Sequence, residues 1–153
     1  MPLELSGDIA GLGKIVQIVR ATDSTDRSTT SGTPSDVTGM SVTITPKKSD
    51  SAIIVIAACD VLVSGSTAGQ NCHLLITDSS NNSIVGAGSH RIRIAGGATE
   101  METAVTIIGY ATPATTSATT YKLRFFVNTG TTTGTVRNGS STDGQMYAIE
   151  VAA

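Results

Sequence analysis

Tryptophan is absent from this 153-residue chain, and the aromatic side chains are Tyr110, Tyr121, Phe125, Phe126 and Tyr147. That leaves little material for the exposed stacking platform a sugar-binding site wants. Charge is scarce too: 14% of residues are Asp, Glu, Lys or Arg, against about a quarter in ordinary domains. With a net charge of −2, no broad basic field exists to collect nucleic acid or anionic lipid. No apolar run reaches the ~18 residues that span a membrane. The start, Met1-Pro2-Leu3-Glu4-Leu5, has neither a cationic leader nor an apolar stretch, so synthesis in the cytoplasm without export is expected.

Reactive side chains are equally few. His73 and His90 are the only histidines, and neither has metal-ligand spacing with Cys59 or Cys72. Cys72 and His73 are adjacent on a strand and point to opposite faces, so they cannot chelate one ion. With Ser64 to Gly69 as a hairpin turn, Cys59 and Cys72 would lie diagonally on neighbouring strands, slightly beyond good disulfide distance; two buried thiols are expected. Asp23 and Asp26 lack the rest of an oxygen cage for calcium. Glu100 and Glu102 share a strand face without a cleft. The Gly86-to-His90 segment lacks the Gly-x-Ser-x-Gly spacing of a nucleophile elbow. No catalytic residue, cofactor site or metal site is expected.

What the chain does contain is β-branched residues in short runs, such as Ile53-Ile54-Val55-Ile56, separated by polar stretches. Ser and Thr make up roughly a quarter of the residues. β-Branched side chains suit a pleated surface, while Gly, Ser and Asn suit turns. Strands are expected at 14–20, 40–45, 52–63, 72–77, 83–86, 90–94, 103–110, 121–128 and 146–151. Weaker pairing is expected at 133–137, and a polar connection over 21–36. Eight to ten strands at this spacing predict an all-β fold, an antiparallel two-sheet sandwich of jelly-roll type filling residues 13–153 as one domain.

Met40, Val42 and Ile44 alternate inward, and Pro46 ends their strand. The strand 52–63 turns Ile53, Val55, Ala57, Cys59, Val61 and Val63 to one face, yet Ile54, Ile56, Ala58 and Leu62 make the other face apolar as well. Strand 14–20 is also apolar on both faces. With no helix to cover them, such strands point to burial against copies of the same chain. Tyr110, Tyr121 and Phe125 are expected in the core. Arg91, Arg93, Lys122 and Arg124 are a candidate polar face that meets acidic groups on a neighbouring subunit. Residues 1–12 stand apart as an arm, with Leu3, Leu5, Ile9 and Leu12 as candidate docking residues.

Several of these segments carry a family likeness. Gly13-Lys14-Ile15-Val16-Gln17-Ile18-Val19 resembles the opening of the C-terminal domain of bacteriophage tail-fibre proteins. Asp36-Val37-Thr38-Gly39-Met40-Ser41-Val42-Thr43-Ile44-Thr45-Pro46 and the apolar strand from Ser51 follow in the same order. Pro113 to Lys122 and the closing Tyr147-Ala148-Ile149-Glu150-Val151-Ala152-Ala153 are similar too. The resemblance covers nearly all of residues 13–153, and its motifs are structural. It implies a virion protein with a trimeric β-sandwich head. In the fibres a long stalk precedes such a head, whereas a dozen residues precede it here.

The expectation is therefore a homotrimer on the virion surface that decorates the capsid, its arm docked on the major capsid protein. The alternative is a short tail fibre or fibre tip that binds a host-surface receptor, such as a glycan. A soluble lectin or carbohydrate-active enzyme outside any virus is the third class.

Overall fold

The computed structural model describes residues 13–152, apart from Gly97, Ser140 and Ser141. Ten strands form in chain order: β1 (Ile15–Asp23), β2 (Arg27–Thr29), β3 (Ser35–Ile44), β4 (Ala52–Gly65), β5 (Asn71–Asp78), β6 (His90–Arg93), β7 (Glu100–Ala111), β8 (Thr119–Val127), β9 (Thr132–Val136) and β10 (Gly144–Val151). No helix occurs among the described residues. The strands make two antiparallel sheets packed as a sandwich, as the sequence predicts.

Sheet A is built on β4. One edge of β4 pairs along its length with β7; the other pairs first with β10 and then with β9. β9 and β10 thus behave as one strand interrupted by an excursion at 137–143, and β1 and β2 flank them in the same broken manner. Sheet B runs β3-β8-β5-β6. With β2 and β9 counted as extensions, the eight remaining strands lie 1-8-3-6 in one sheet and 2-7-4-5 in the other. That order is a jelly roll of two interlocked Greek keys.

The core lies where the alternating residues of the two sheets meet. Ile53, Val55, Val61 and Val63 of β4 face Leu74 and Ile76 of β5 and Leu123 and Phe125 of β8, all nearly or fully buried. Met40, Val42 and Ile44 point inward as expected, and Tyr121 is 1% exposed. Gly134 permits close approach of the sheets, since a Cβ there would overlap the Cys72 thiol. β3 carries a bulge between Asp36 and Ser41, where Gly39 takes a φ of +96° beneath the Asp23 carboxylate.

Four expectations need correction. Tyr110 is not core: it projects from the outer side of β7 and is 47% exposed. Cys59 and Cys72 are not on neighbouring strands, because residues 66–70 cross from one sheet to the other instead of closing a hairpin. The segment 83–86 makes two isolated bridges, Thr77 to Ser83 and Val85 to Tyr110, and no strand. The connection 21–36 is about half strand: β1 runs on to Asp23, β2 lies within it, and β3 begins at Ser35. In that last case polar segments gain their order from partner strands that local pattern does not reveal.

Among the described residues one acid, Glu150, is fully buried. Glu150 accepts from Gln17 Nε2 at 2.6 Å and from the backbone N–H groups of Lys47 (2.8 Å) and Lys48 (3.3 Å). Burial works to raise its pKa, but these donors more than offset it, and the net shift is downward. It ties the ends of β1 and β10 to the turn after β3.

Leu123→Ala should lower stability by about 2–5 kcal/mol through loss of a buried side chain and the cavity left behind. Ile18→Ala, at a residue 57% exposed, should change it by no more than about 0.5 kcal/mol in the unassembled chain; urea unfolding measures both. For Glu150, the unfolded chain takes up its proton first as pH falls. Its contribution is therefore complete above the ordinary value of 4.5 and fades as pH drops through the lower folded value. Glu150→Gln should lower the melting temperature at pH 7 and flatten its decline below pH 4.5. A variant whose melting curve parallels the parent's from pH 7 to 3 would contradict this role.

Candidate functional site

Since the interior is filled by aliphatic side chains, the surfaces on offer are the outer faces of the two sheets, and they differ in kind. On sheet B, Asp36 of β3 accepts from Arg124 Nε at 2.8 Å and Lys122 Nζ at 3.0 Å, both on β8. Arg124 also donates to the Pro34 carbonyl (2.7 Å), and Lys122 to Asn81 Oδ1 (2.8 Å). Burial pushes the Asp36 pKa up, the two cations more than reverse that, and the net effect is downward. On β5, His73 stacks on Phe126 with ring centroids 4.6 Å apart and hydrogen-bonds Ser89. Desolvation first, and the Arg91 charge second, hold its pKa below the usual imidazole value. Arg91 and Arg93 stand exposed on β6, opposite His73 and Asn71.

The four basic residues singled out from sequence thus lie on one sheet, but not as one patch. Lys122 and Arg124 are held by Asp36 of their own chain, and β5 separates them from Arg91 and Arg93. The pairing could not be read from sequence, because Asp36 lies 86 residues from Lys122. The arm residues Leu3, Leu5, Ile9 and Leu12 fall outside the described residues.

The outer face of sheet A is apolar in rows that run across four strands. Ile18, Ile149, Ile54 and Tyr110 sit side by side on β1, β10, β4 and β7; Arg20, Tyr147, Ile56 and Ile108 form the next row. Ile18, Ile108 and Tyr110 are 57%, 58% and 47% exposed, and their neighbours on β4 and β10 are half-buried. Arg20 lies over the Tyr147 ring at 5.9 Å. A shallow groove of about 250 Å³ opens at the end of these rows, lined by Ala52, Ile54, Tyr110 and Val151 among others. The double-faced apolar pattern of 14–20 and 52–63 signals part of this face in sequence. The contribution of β7 was missed, because alternation alone does not say which of its faces is wet.

Elsewhere, Asp23 accepts from Asn138 Nδ2 at 3.0 Å and pairs with Arg27, while Asp26 accepts from the Gly139 N–H at 2.7 Å. Both carboxylates fasten the two excursions of sheet A to each other. Among the described residues, no group of three or more His, Cys, Asp or Glu is placed to hold a metal ion. Glu102 is bound to Arg137 at 3.1 Å. Cys59 and Cys72 are free thiols.

No family model matches the chain, and no curated protein matches it. Among solved structures it is similar to capsid proteins of infectious bursal disease virus. Against the T13 viral particle the TM-score is 0.45 at 12% identity, over 90% of this chain and 36% of that one. Against the VP2 subviral particle it is 0.40 at 12% identity, over 90% and 37%. The chain spans less than two fifths of the length of these structures.

Burial pushes both thiols up to about 12, so neither forms the reactive thiolate at ordinary pH. A maleimide reagent at pH 8 should label neither cysteine in the folded protein and both in denaturant. Labelling of the native protein within minutes, or a failure to label the unreduced denatured chain, would overturn the buried-thiol reading.

Proposed function

We propose that this chain is a non-enzymatic virion structural protein, a homotrimeric surface module that decorates the capsid. The observation that carries the reading is the difference between the two faces of one sandwich. Sheet A turns apolar rows outward, which favours contact with protein, while sheet B turns outward charges largely satisfied within the chain, which suits a face left in water. A module fixed on one side and displayed on the other has this construction. The jelly roll recurs in viral capsid and lectin domains, and the likeness of residues 13–153 to tail-fibre C-terminal domains gives the same setting. In this reading the arm carrying Leu3, Leu5, Ile9 and Leu12 docks on the major capsid protein.

A second reading is a short tail fibre or fibre tip, which the family resemblance itself favours. Its host-facing surface would be sheet B, where Arg91, Arg93 and the stacked His73–Phe126 pair are the groups available to an anionic or sugar-bearing receptor.

Copy number separates the two. In purified virions, a decoration protein should be present in amounts comparable with the major capsid protein by quantitative mass spectrometry. A small fraction of that amount would assign the chain to the tail, and absence from particles would remove both readings.

A further inference from the structure

We propose that Asn138-Gly139 is a latent modification site: the fold holds a deamidation-prone pair closed, and release of its two hydrogen bonds opens it to conversion into an aspartate or isoaspartate that does not close again. This is the chain's only Asn-Gly step, and it lies between β9 and β10. Glycine after asparagine matters because it puts no side chain in the way of its own backbone nitrogen. That nitrogen attacks the Asn138 Cγ. The N–Cγ bond forms, the Cγ–Nδ2 bond breaks, and Nδ2 leaves as ammonia with the proton from the Gly139 N–H. Water then opens the cyclic imide at either carbonyl, giving aspartate or isoaspartate. Water is the only co-reactant.

In the fold every participant is held out of that reaction. The Gly139 N–H donates to Asp26 Oδ1 at 2.7 Å, so the proton of the nucleophile sits against a carboxylate whose negative charge opposes its loss. Asn138 is 1% exposed, and its Nδ2 donates to Asp23 Oδ2 at 3.0 Å. An ionised carboxylate only accepts, so the amide must face it with its nitrogen. The Asn138 Oδ1 is buried and has no donor among the described residues. Attack at Cγ would turn that oxygen into an oxyanion with nothing to stabilise it. The Gly144 backbone closes the remaining side, since a Cβ there would overlap the Asn138 amide.

Once the reaction has occurred, the products do not fit the place that asparagine filled. Aspartate at 138 sets a second carboxylate in the buried position that now holds Nδ2, 3.0 Å from Asp23. Asp23 is itself wedged beneath Gly39, where a Cβ would overlap it, and is paired with Arg27 at 3.6 Å. Two buried like charges so close cannot both stay ionised without cost. Isoaspartate in addition inserts a methylene into the main chain between β9 and β10, which pair in fixed register with the same strand, β4. Both products therefore hold open the connection that Asp23 and Asp26 fasten. This inference goes beyond the functional reading above and does not depend on it. On a particle, where an altered copy is not replaced by new synthesis, the conversion sets a limit on lifetime.

The test is mass spectrometry of the full chain kept warm at mildly alkaline pH, in buffer and in urea, with the mass gain of amide-to-acid exchange located by peptide mapping. Asn138 should convert about tenfold or more slowly in buffer than in urea, as befits a reaction that waits on local opening. Asp26→Ala, with the circular dichroism of the parent, should raise the rate in buffer several-fold and leave the rate in urea unchanged. Asn138→Asp should melt below the parent at neutral pH. The gap should narrow in acid, because a carboxyl whose folded pKa is raised by a like charge costs stability only while it is ionised. Equal rates in buffer and urea overturn the proposal. So does an unchanged rate in a folded Asp26→Ala variant, or an Asn138→Asp chain as stable as the parent at neutral pH. The comparison of buffer with urea uses the parent chain alone and stands whether or not the variants fold.

Discussion

β4 must be satisfied on all four sides, and the rest of the molecule is arranged around that requirement. Its backbone is paired along both edges, to β7 on one and to β10 and β9 on the other. Its inner residues supply the middle of the core. A strand in that position is read as apolar throughout, because neither face is ordinary solvent-exposed surface. The inner face is closed by sheet B. The outer face is closed by nothing within the described residues, and the functional argument starts from that imbalance.

The jelly-roll order follows from how the chain returns to β4. β7 and β10 both come back to it from distant points, and β8 and β5 do the same in the facing sheet. Long-range pairing of this kind costs loop-closure entropy before contacts repay it. Polar fasteners at the seams stabilise the closure: Glu150 holds Gln17 and the backbone of Lys47 and Lys48, and Asp23 and Asp26 hold the 137–143 excursion. Other charges of the chain are committed within it as well, among them Asp36 with Lys122 and Arg124, and Glu102 with Arg137. Lys122 and Arg124 therefore resemble a binding patch in sequence but are held by Asp36 in the fold.

The two faces set the division of labour. Sheet B can remain in water at little cost, since its ion pairs are partly solvated and individually weak, about 0–1 kcal/mol each. Sheet A gains more from being covered, since each Ile or Tyr left wet forfeits part of the ~1.5–3 kcal/mol its burial would contribute. Assembly through sheet A and display of sheet B is the arrangement in which both faces sit in the solvent their side chains prefer.

Much of the fold was legible in the residues themselves. The all-β class, the two-sheet sandwich, the inward set Met40, Val42 and Ile44, and the double-faced character of 52–63 all follow from period-two patterning and β-branched composition, which are local properties. The partners of each strand were not legible. β2 and the early start of β3 hide in a Ser/Thr-rich stretch because backbone pairing needs no particular side chain. The separation of Cys59 from Cys72 depends on a crossing between sheets that any hairpin-like turn sequence could also make. Tyr110 shows the limit most clearly. In sequence it is one more aromatic in an alternating run, and only pairing with Ile54, together with the position of sheet B, decides that it faces out. Local pattern determines that a strand has an apolar side; which side is wet is decided by what the rest of the chain brings to cover it.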